Sequence, residues 1–134
     1  MNWNAIETAL EAKLRSLNLG MPIWSENVEY SNVPGQVYIA IEHYFVDSDK
    51  IATGVMETVG VTRFIINFPA GEGPGPAAAL ADIVSAAFAP GTSIPAGSGY
   101  VTMNKFSLGH KEPGVDPAWW ALPLSVYYNA YHNS

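Results

Sequence analysis

Two alternating stretches decide the fold of this chain, residues 36–46 (QVYIAIEHYFV) and residues 58–69 (TVGVTRFIINFP). In both, large apolar side chains recur at every second position, which is the period of a strand with one buried face. The residues between them, 47–57, break the alternation and carry four charged side chains. We therefore expect two long paired strands that are joined by a polar tip.

A helix is predicted on either side of this strand pair. Residues 3–17 place apolar side chains at spacings of three and four, and a glycine and a proline then end the pattern. Residues 76–88 (PAAALADIVSAAF) begin with a proline, which suits the first turn of a helix, and carry an apolar stripe. Residues 20–35 hold two prolines without a clear period, so we interpret them as an ordered connector.

Two more strands are predicted near the end of the chain, at residues 100–108 and 118–131, around a polar tip at 109–117. Pro123 favours an edge position or a bulge for the last strand. The expected fold is a single α+β domain, residues 1–134, in the order α-β-β-α-β-β. Its four-stranded, mostly antiparallel sheet would carry both helices on one face. The other face is rich in Tyr, Trp and Ile, so we expect a neighbouring subunit to cover it.

The composition predicts self-association and disfavours several other classes of function. Hydrophobic residues make up 49% of the chain and charged residues only 13%, whereas about 25% charged is usual. Apolar surface that is poor in charge tends to associate. The net charge of −6 without a basic cluster argues against binding to nucleic acid or to an anionic membrane. An acidic chain can nevertheless surround DNA without retaining it. There is no cysteine, which fits a reducing compartment, and we predict neither a signal peptide nor a membrane span.

No pattern in the sequence predicts catalysis, a cofactor or a metal site. Residues 71–76 (GEGPGP) lie between a strand and a helix, as a dinucleotide-binding loop would. Two of these residues are prolines, which remove backbone N–H groups that a phosphate needs, and Glu72 adds a repelling charge. His43, His110 and His132 have no metal-ligand spacing. A serine nucleophile elbow is absent, and a chain without cysteine has no thiol nucleophile.

The short motifs and their order carry a family resemblance. They are WSEN at residues 24–27, QVYIAI at 36–41, the run from 60 to 68 followed by PAGEG at 69–73, an alanine-rich helix that ends at Phe88, GYV at 99–101, and WALPLSVYY at 120–128. In this order the chain resembles the phage tail-terminator proteins of long, non-contractile tails. The resemblance extends from residue 24 to residue 131.

The resemblance implies α/β subunits that assemble into a hexameric ring. Such a ring lies on the last turn of the tail tube, ends tube polymerisation and offers a docking surface to the head connector. DNA passes through the lumen without specific binding. The implied partners are other copies of the chain, the tail tube protein and the head–tail connector protein. The implied location is the virion, after assembly in the host cytoplasm, with no catalytic residues and no cofactor.

Candidate contact residues lie in the two polar tips and in the aromatic last strand. They are Asp47, Asp49, Lys50, Ile51, Val55, Met56, His110, Lys111, Glu112, Trp119, Tyr127 and Tyr131. The polar tips between long strands are natural axial contacts, and Tyr and Trp are enriched at interface hot spots. Two alternatives remain open at this point. One is another ring protein of the virion, such as a tube or head–tail connector protein, and the other is a small-molecule-binding α+β domain.

Overall fold

The computed structural model describes residues 3–25, 37–69, 75–110, 112–113 and 119–133. Its helices and strands, in chain order, are α1 (Trp3–Ser16), β1 (Ile23–Trp24), β2 (Tyr38–Ala52), β3 (Val55–Pro69), α2 (Gly75–Ala87), β4 (Ser93–Ala96), β5 (Gly99–Leu108), β6 (Glu112–Pro113) and β7 (Trp119–Asn133). Neither of the helices in these ranges has the length and the apolar character that a membrane span requires.

The strands form one sheet in the order β1-β2-β3-β7-β5-β4, and β6 pairs with β7. β1 is parallel to β2, and the other pairings are antiparallel. The prediction of a four-stranded sheet in the order α-β-β-α-β-β is therefore wrong. The described part of the chain has seven strands in a curled mixed sheet, in the order α-β-β-β-α-β-β-β-β.

The three strands that the prediction missed have a common physical cause. β1 and β6 have two residues each and β4 has four, which is too short for an alternating pattern to become visible. β1 lies in the segment that we interpreted as a connector, β6 lies in the polar tip at 109–117, and β4 lies between the second predicted helix and the strand predicted at 100–108. Each is a strand because its backbone pairs with a longer neighbour, and this depends on the tertiary fold.

The expected polar tip at residues 47–57 is also mostly strand. β2 continues to Ala52 and β3 begins at Val55, so only residues 53 and 54 form the turn. Gly54 has a positive φ of 77°, which glycine adopts without the steric cost of a Cβ. The end of the hairpin has no buried face, so apolar side chains do not alternate there. Its charged side chains therefore resemble those of a loop.

The hydrophobic core lies between the helices and one face of the sheet. The side chains that the sheet contributes alternate along β2, β3, β5 and β7, as expected for strands with one buried face. α1 contributes Ile6, Leu10 and Leu14, while α2 contributes Ala77, Ala81 and Val84. Phe88 follows α2 and packs against Phe64 of β3, with 4.9 Å between the ring centroids.

A hydrogen-bonded chain within this core ties α1 to the sheet. One carboxylate oxygen of Glu11 lies 3.0 Å from Nε2 of His43, and Nδ1 of His43 lies 3.0 Å from the hydroxyl of Thr62. The His43 side chain is only 1% exposed. A second buried pair, Thr58 and His132, has 3.0 Å between the hydroxyl oxygen and Nε2. Both histidines thus serve the packing of the domain.

Candidate interaction surfaces

One face of the sheet carries no helix among the described residues. Its side chains alternate with those of the core, so each long strand shows a polar and aromatic row on this side. We call it the open face. Its main members are Tyr38, Glu42 and Tyr44 of β2, Val61, Arg63 and Ile65 of β3, Tyr100 and Lys105 of β5, and Ser125, Tyr127, Asn129 and Tyr131 of β7.

The charged groups in the middle of the open face are paired with one another. Arg63 donates to the carboxylate of Glu42 across 3.4 Å, and the hydroxyl of Tyr44 donates to the same carboxylate. That hydrogen bond raises the pKa of Tyr44 above its usual value. The ammonium of Lys105 lies 5.3 Å from the ring centre of Tyr127. A partner that covers Glu42 and Arg63 would therefore bury a compensated pair of charges.

The hairpin end of the open face is acidic instead. Asp49 of β2 lies directly opposite Glu57 of β3, and like charges in that position destabilise a sheet. Lys50 points to the other face because neighbouring strand residues alternate. Among the described residues, Glu57 accepts hydrogen bonds from Asn129 and Tyr131 but has no ion-pair partner. The hydrogen bond to Glu57 raises the pKa of Tyr131.

The candidate contact residues fall into two groups at opposite ends of the sheet. One group lies at the hairpin end: Asp47, Asp49, Lys50, Ile51, Val55, Met56 and, on the adjacent β7, Tyr131. The other group lies at the far end: His110, Glu112 and Trp119. Tyr127 lies between them, and Lys111 is outside the described residues. Trp119 and Tyr131 are about 40 Å apart along β7, at about 3.4 Å per residue.

A shallow groove marks the hairpin end. It has a volume of about 440 Å³ and is lined by Ile51, Val55, Ser98, Gly99, Tyr100, Tyr131, His132 and Asn133. Sequence reasoning missed Tyr100, which lies beside Tyr131 with 5.3 Å between ring centroids. No periodicity could have indicated this contact, because it depends on β5 and β7 being neighbours.

Sequence reasoning also missed an aromatic cluster at the far end of the sheet. Trp24 stacks on Tyr38, with 4.0 Å between ring centroids, and Tyr38 contacts the edge of Trp119 at 5.4 Å. The alternation of β2 placed Tyr38 on the same side as Tyr44, which was an available signal for its position on the open face. Each end of the open face thus carries aromatic side chains.

Comparison with known proteins identifies the family. A family model described as phage tail terminator protein matches residues 5–128. The chain belongs to the phage tail terminator family. This confirms the resemblance that the sequence motifs carried. The tail terminator is accordingly a structural virion component with a role in the phage tail, and it interacts with other tail or head components. Its family is structural and not enzymatic.

A solved structure without a functional name supports the fold. It matches the tail terminator with a TM-score of 0.77 and 21% sequence identity, over 97% of this chain and 96% of that chain. At this identity the likeness concerns the fold alone. A search of curated proteins finds no match.

Proposed function

We propose that this tail terminator forms a closed ring, with six copies as the family resemblance implies, that caps the tail tube and ends its polymerisation. The ring also provides the docking surface for the head connector, and DNA passes through its lumen. One observation carries this proposal. The candidate contact residues lie at two opposite ends of one sheet, and a cap between a tube and a connector needs two separate axial surfaces.

The hairpin end has the chemistry of a contact with another protein. Ile51 is 52% exposed beside the half-buried Tyr131 and the exposed Tyr100, so apolar and aromatic surface is available in a groove. Its acidic neighbours Asp49 and Glu57 favour a partner that brings a cation. Aromatic surface in a pocket is the usual centre of an interface, and the surrounding charges give specificity.

The charge of the chain supports passage of DNA without retention. The net charge is −6, and in the described parts of β2, β3, β5 and β7 the open face holds four acidic residues, Glu42, Asp47, Asp49 and Glu57, against two basic ones, Arg63 and Lys105. A ring of such subunits repels a phosphate backbone, because retention requires Lys and Arg that neutralise phosphates.

Electron microscopy and native mass spectrometry of the purified protein test the proposal. We expect discrete rings of one defined mass, near six times 14.4 kDa. Tubes of unlimited length would instead favour a tube protein. A stable monomer at tens of micromolar concentration would contradict ring formation.

A further inference from the structure

The sheet has two outer edges that the described strands leave largely uncovered. On one side β1 pairs only with Ile39 and Ala40, so no described strand lies beside β2 beyond Ala40. On the other side β4 pairs with β5 from Gly99 to Thr102. Beyond Met103, which bonds to the backbone of residues 91 and 92, no strand in the described ranges lies outside β5.

Both edges expose large apolar side chains. On or beside the β2 edge, Tyr44 is 46% exposed and Val46 is 66% exposed, and Leu108 at the end of β5 is 61% exposed. Monomeric proteins protect a free edge with charges, especially Lys, or with Pro. Val46 lies at a bulge, where a charged side chain would protect the edge well, yet it is apolar. Both edges also carry charged side chains and a bulge, so it is their exposed apolar side chains that favour cover by an assembly.

The two edges differ in charge. β2 beyond Ala40 carries three acidic residues and one basic residue, Lys50. Glu42 is paired with Arg63 of β3, so Asp47 and Asp49 give this edge its acidic character. β5 beyond Met103 carries Lys105 and no acidic residue. Two β2 edges therefore repel each other, whereas a β2 edge and a β5 edge attract. This favours a contact between unlike edges, which is the type of contact that generates rings.

The two edges also lie at matching heights in the sheet. Lys105 is in register with Tyr127, which pairs with Val61 and through it with Tyr44. In the same way Leu108 is at the height of Ile41. Subunits of a closed ring are related by rotation without a rise, so edges at equal heights meet. Three antiparallel pairings separate β2 from β5, and their contact between copies would be antiparallel as well.

We propose that neighbouring copies join edge to edge, with β2 of one copy pairing with β5 of the next. The sheet would then continue from subunit to subunit around the ring. This inference rests on the proposed ring and adds the strands that form it. The main-chain hydrogen bonds would supply affinity, as in other cases of strand addition, while Tyr44, Val46 and Leu108 would become buried.

Disulfide cross-linking tests the pairing, because the natural chain has no cysteine. Tyr44→Cys and Lys105→Cys place thiols at equal heights on the two edges. Opposite residues of an antiparallel pair have Cα atoms about 5 Å apart, within the range that a disulfide spans. After mild oxidation we expect the mixture of the two variants to form dimers and each variant alone to stay monomeric on a denaturing gel. A chain with both cysteines should give a ladder that ends at the ring size.

Further cysteine variants allow for the case in which the two paired strands are offset along their length. Val46→Cys and Ser107→Cys shift the position of each thiol by two residues, and Ile83→Cys on the exposed side of α2 is the control that should not cross-link with Lys105→Cys. If the variants form rings but no cross-link joins the two edges, the proposed strand pairing is wrong, whereas the proposed ring formation still stands. Cross-links within single variants would equally overturn the proposed pairing. Absence of rings in the natural protein would contradict the proposed function first.

Val46→Lys is an independent test that needs no oxidation. A lysine at this bulge protects the edge and should convert rings into folded monomers in native mass spectra. Ile83→Lys, which changes a similarly apolar residue that is 48% exposed on α2, should leave the rings unchanged. Rings of natural mass and stability in the Val46→Lys variant would contradict a contact through this edge.

Discussion

The hydroxyl of Tyr128 lies against Gly60, its partner across β3 and β7, so closely that a Cβ on residue 60 would overlap the hydroxyl oxygen. The same Cβ would lie 2.9 Å from the backbone oxygen of Tyr44 on the next strand. Tyr128 is fully buried, so it cannot move aside without disturbing the core. The absence of a side chain at residue 60 is therefore part of the packing of this sheet.

Gly60→Ala should lower the free energy of unfolding by about 2 kcal/mol, because overpacking of a core costs about 1–3 kcal/mol. Urea denaturation followed by circular dichroism measures it. Gly75→Ala is the matched control, since a Cβ there meets nothing within 4 Å and α2 begins at that residue. Equal stability of the two variants would show that Tyr128 has room to move.

Tyr128 also carries a polar group without an adequate partner. Its hydroxyl is near Thr62 but makes no hydrogen bond of ordinary geometry with a described residue. Burial raises its pKa far above the usual value of 10.0. Removal of an unsatisfied buried hydroxyl is nearly neutral or stabilising. We therefore expect Tyr128→Phe to change the free energy of unfolding by less than about 1 kcal/mol, whereas Tyr128→Ala should cost about 3–5 kcal/mol.

The raised pKa of Tyr128 makes the stability depend on pH in the alkaline range. Above about pH 10 the unfolded chain ionises this residue while the folded protein keeps it neutral, so the unfolded state binds fewer protons. The free energy of unfolding should then fall by up to about 1.4 kcal/mol per pH unit from this residue, until the pH reaches its folded pKa. Denaturation at pH 9, 10 and 11 measures the slope. Tyr128→Phe should lack this contribution, and an equal slope in both proteins would contradict the assignment.

The contact between Glu11 and His43 should contribute to the docking of α1. Glu11→Ala removes the carboxylate that lies 3.0 Å from His43 and leaves a buried ring nitrogen without that partner. We expect a loss of about 1–3 kcal/mol in the free energy of unfolding, measured by urea denaturation. Glu7→Ala, one turn earlier in α1 and only partly buried, should change it by less than about 0.5 kcal/mol. A similar small effect in both variants would mean that apolar packing alone holds α1.

Periodicity predicted the long elements and failed where pairing depends on tertiary structure. Residues 36–46 and 58–69 lie almost entirely within β2 and β3, because one buried face forces the alternation. β1, β4 and β6 have too few residues to show it. The charges of Asp47, Asp49 and Lys50 made the end of the hairpin resemble a loop, although no residue there prevents a strand.

Pro123 shows how a correct local rule can give a wrong position. Proline lacks an N–H group and so favours an edge strand or a bulge, but β7 lies in the middle of the sheet, between β3 and β5. Its pairing with β5 ends at Leu124 and its pairing with β6 begins at Ala121. Pro123 falls into this gap, and its carbonyl accepts a hydrogen bond from Gly109 at 2.8 Å. The missing donor therefore faces no strand of the described sheet.

The sequence could predict that the candidate contact residues of the two tips lie at the surface. Tips between long strands lie at sheet ends in any antiparallel topology, so residues such as Ile51 and Glu112 could be placed on the surface. Which tip lies at which end could not be inferred, because this requires the strand order. For the same reason the sequence could not predict that β2 and β5 have free edges, since edge positions depend on the strand order of the complete sheet.

Ile51→Asp tests whether the hairpin end contacts a tail or head component. Ile51 is 52% exposed, so an aspartate should leave the subunit folded, with a change in the free energy of unfolding below about 0.5 kcal/mol. A further negative charge beside Asp49 and Glu57 should weaken a partner contact in the groove. In the phage that encodes the chain we expect tails of irregular, extended length and fewer joined heads in electron micrographs.

Ile83→Asp is the control that separates this contact from general surface damage. Ile83 is 48% exposed and lies on α2, which packs on the side of the sheet opposite to the open face, so the same substitution should give tails of natural length. If Ile51→Asp rings assemble but tails stay extended, the hairpin end contacts the tube. If tails have natural length while heads fail to join, it contacts the connector. Natural tails with heads attached would show that this end of the sheet contacts neither partner.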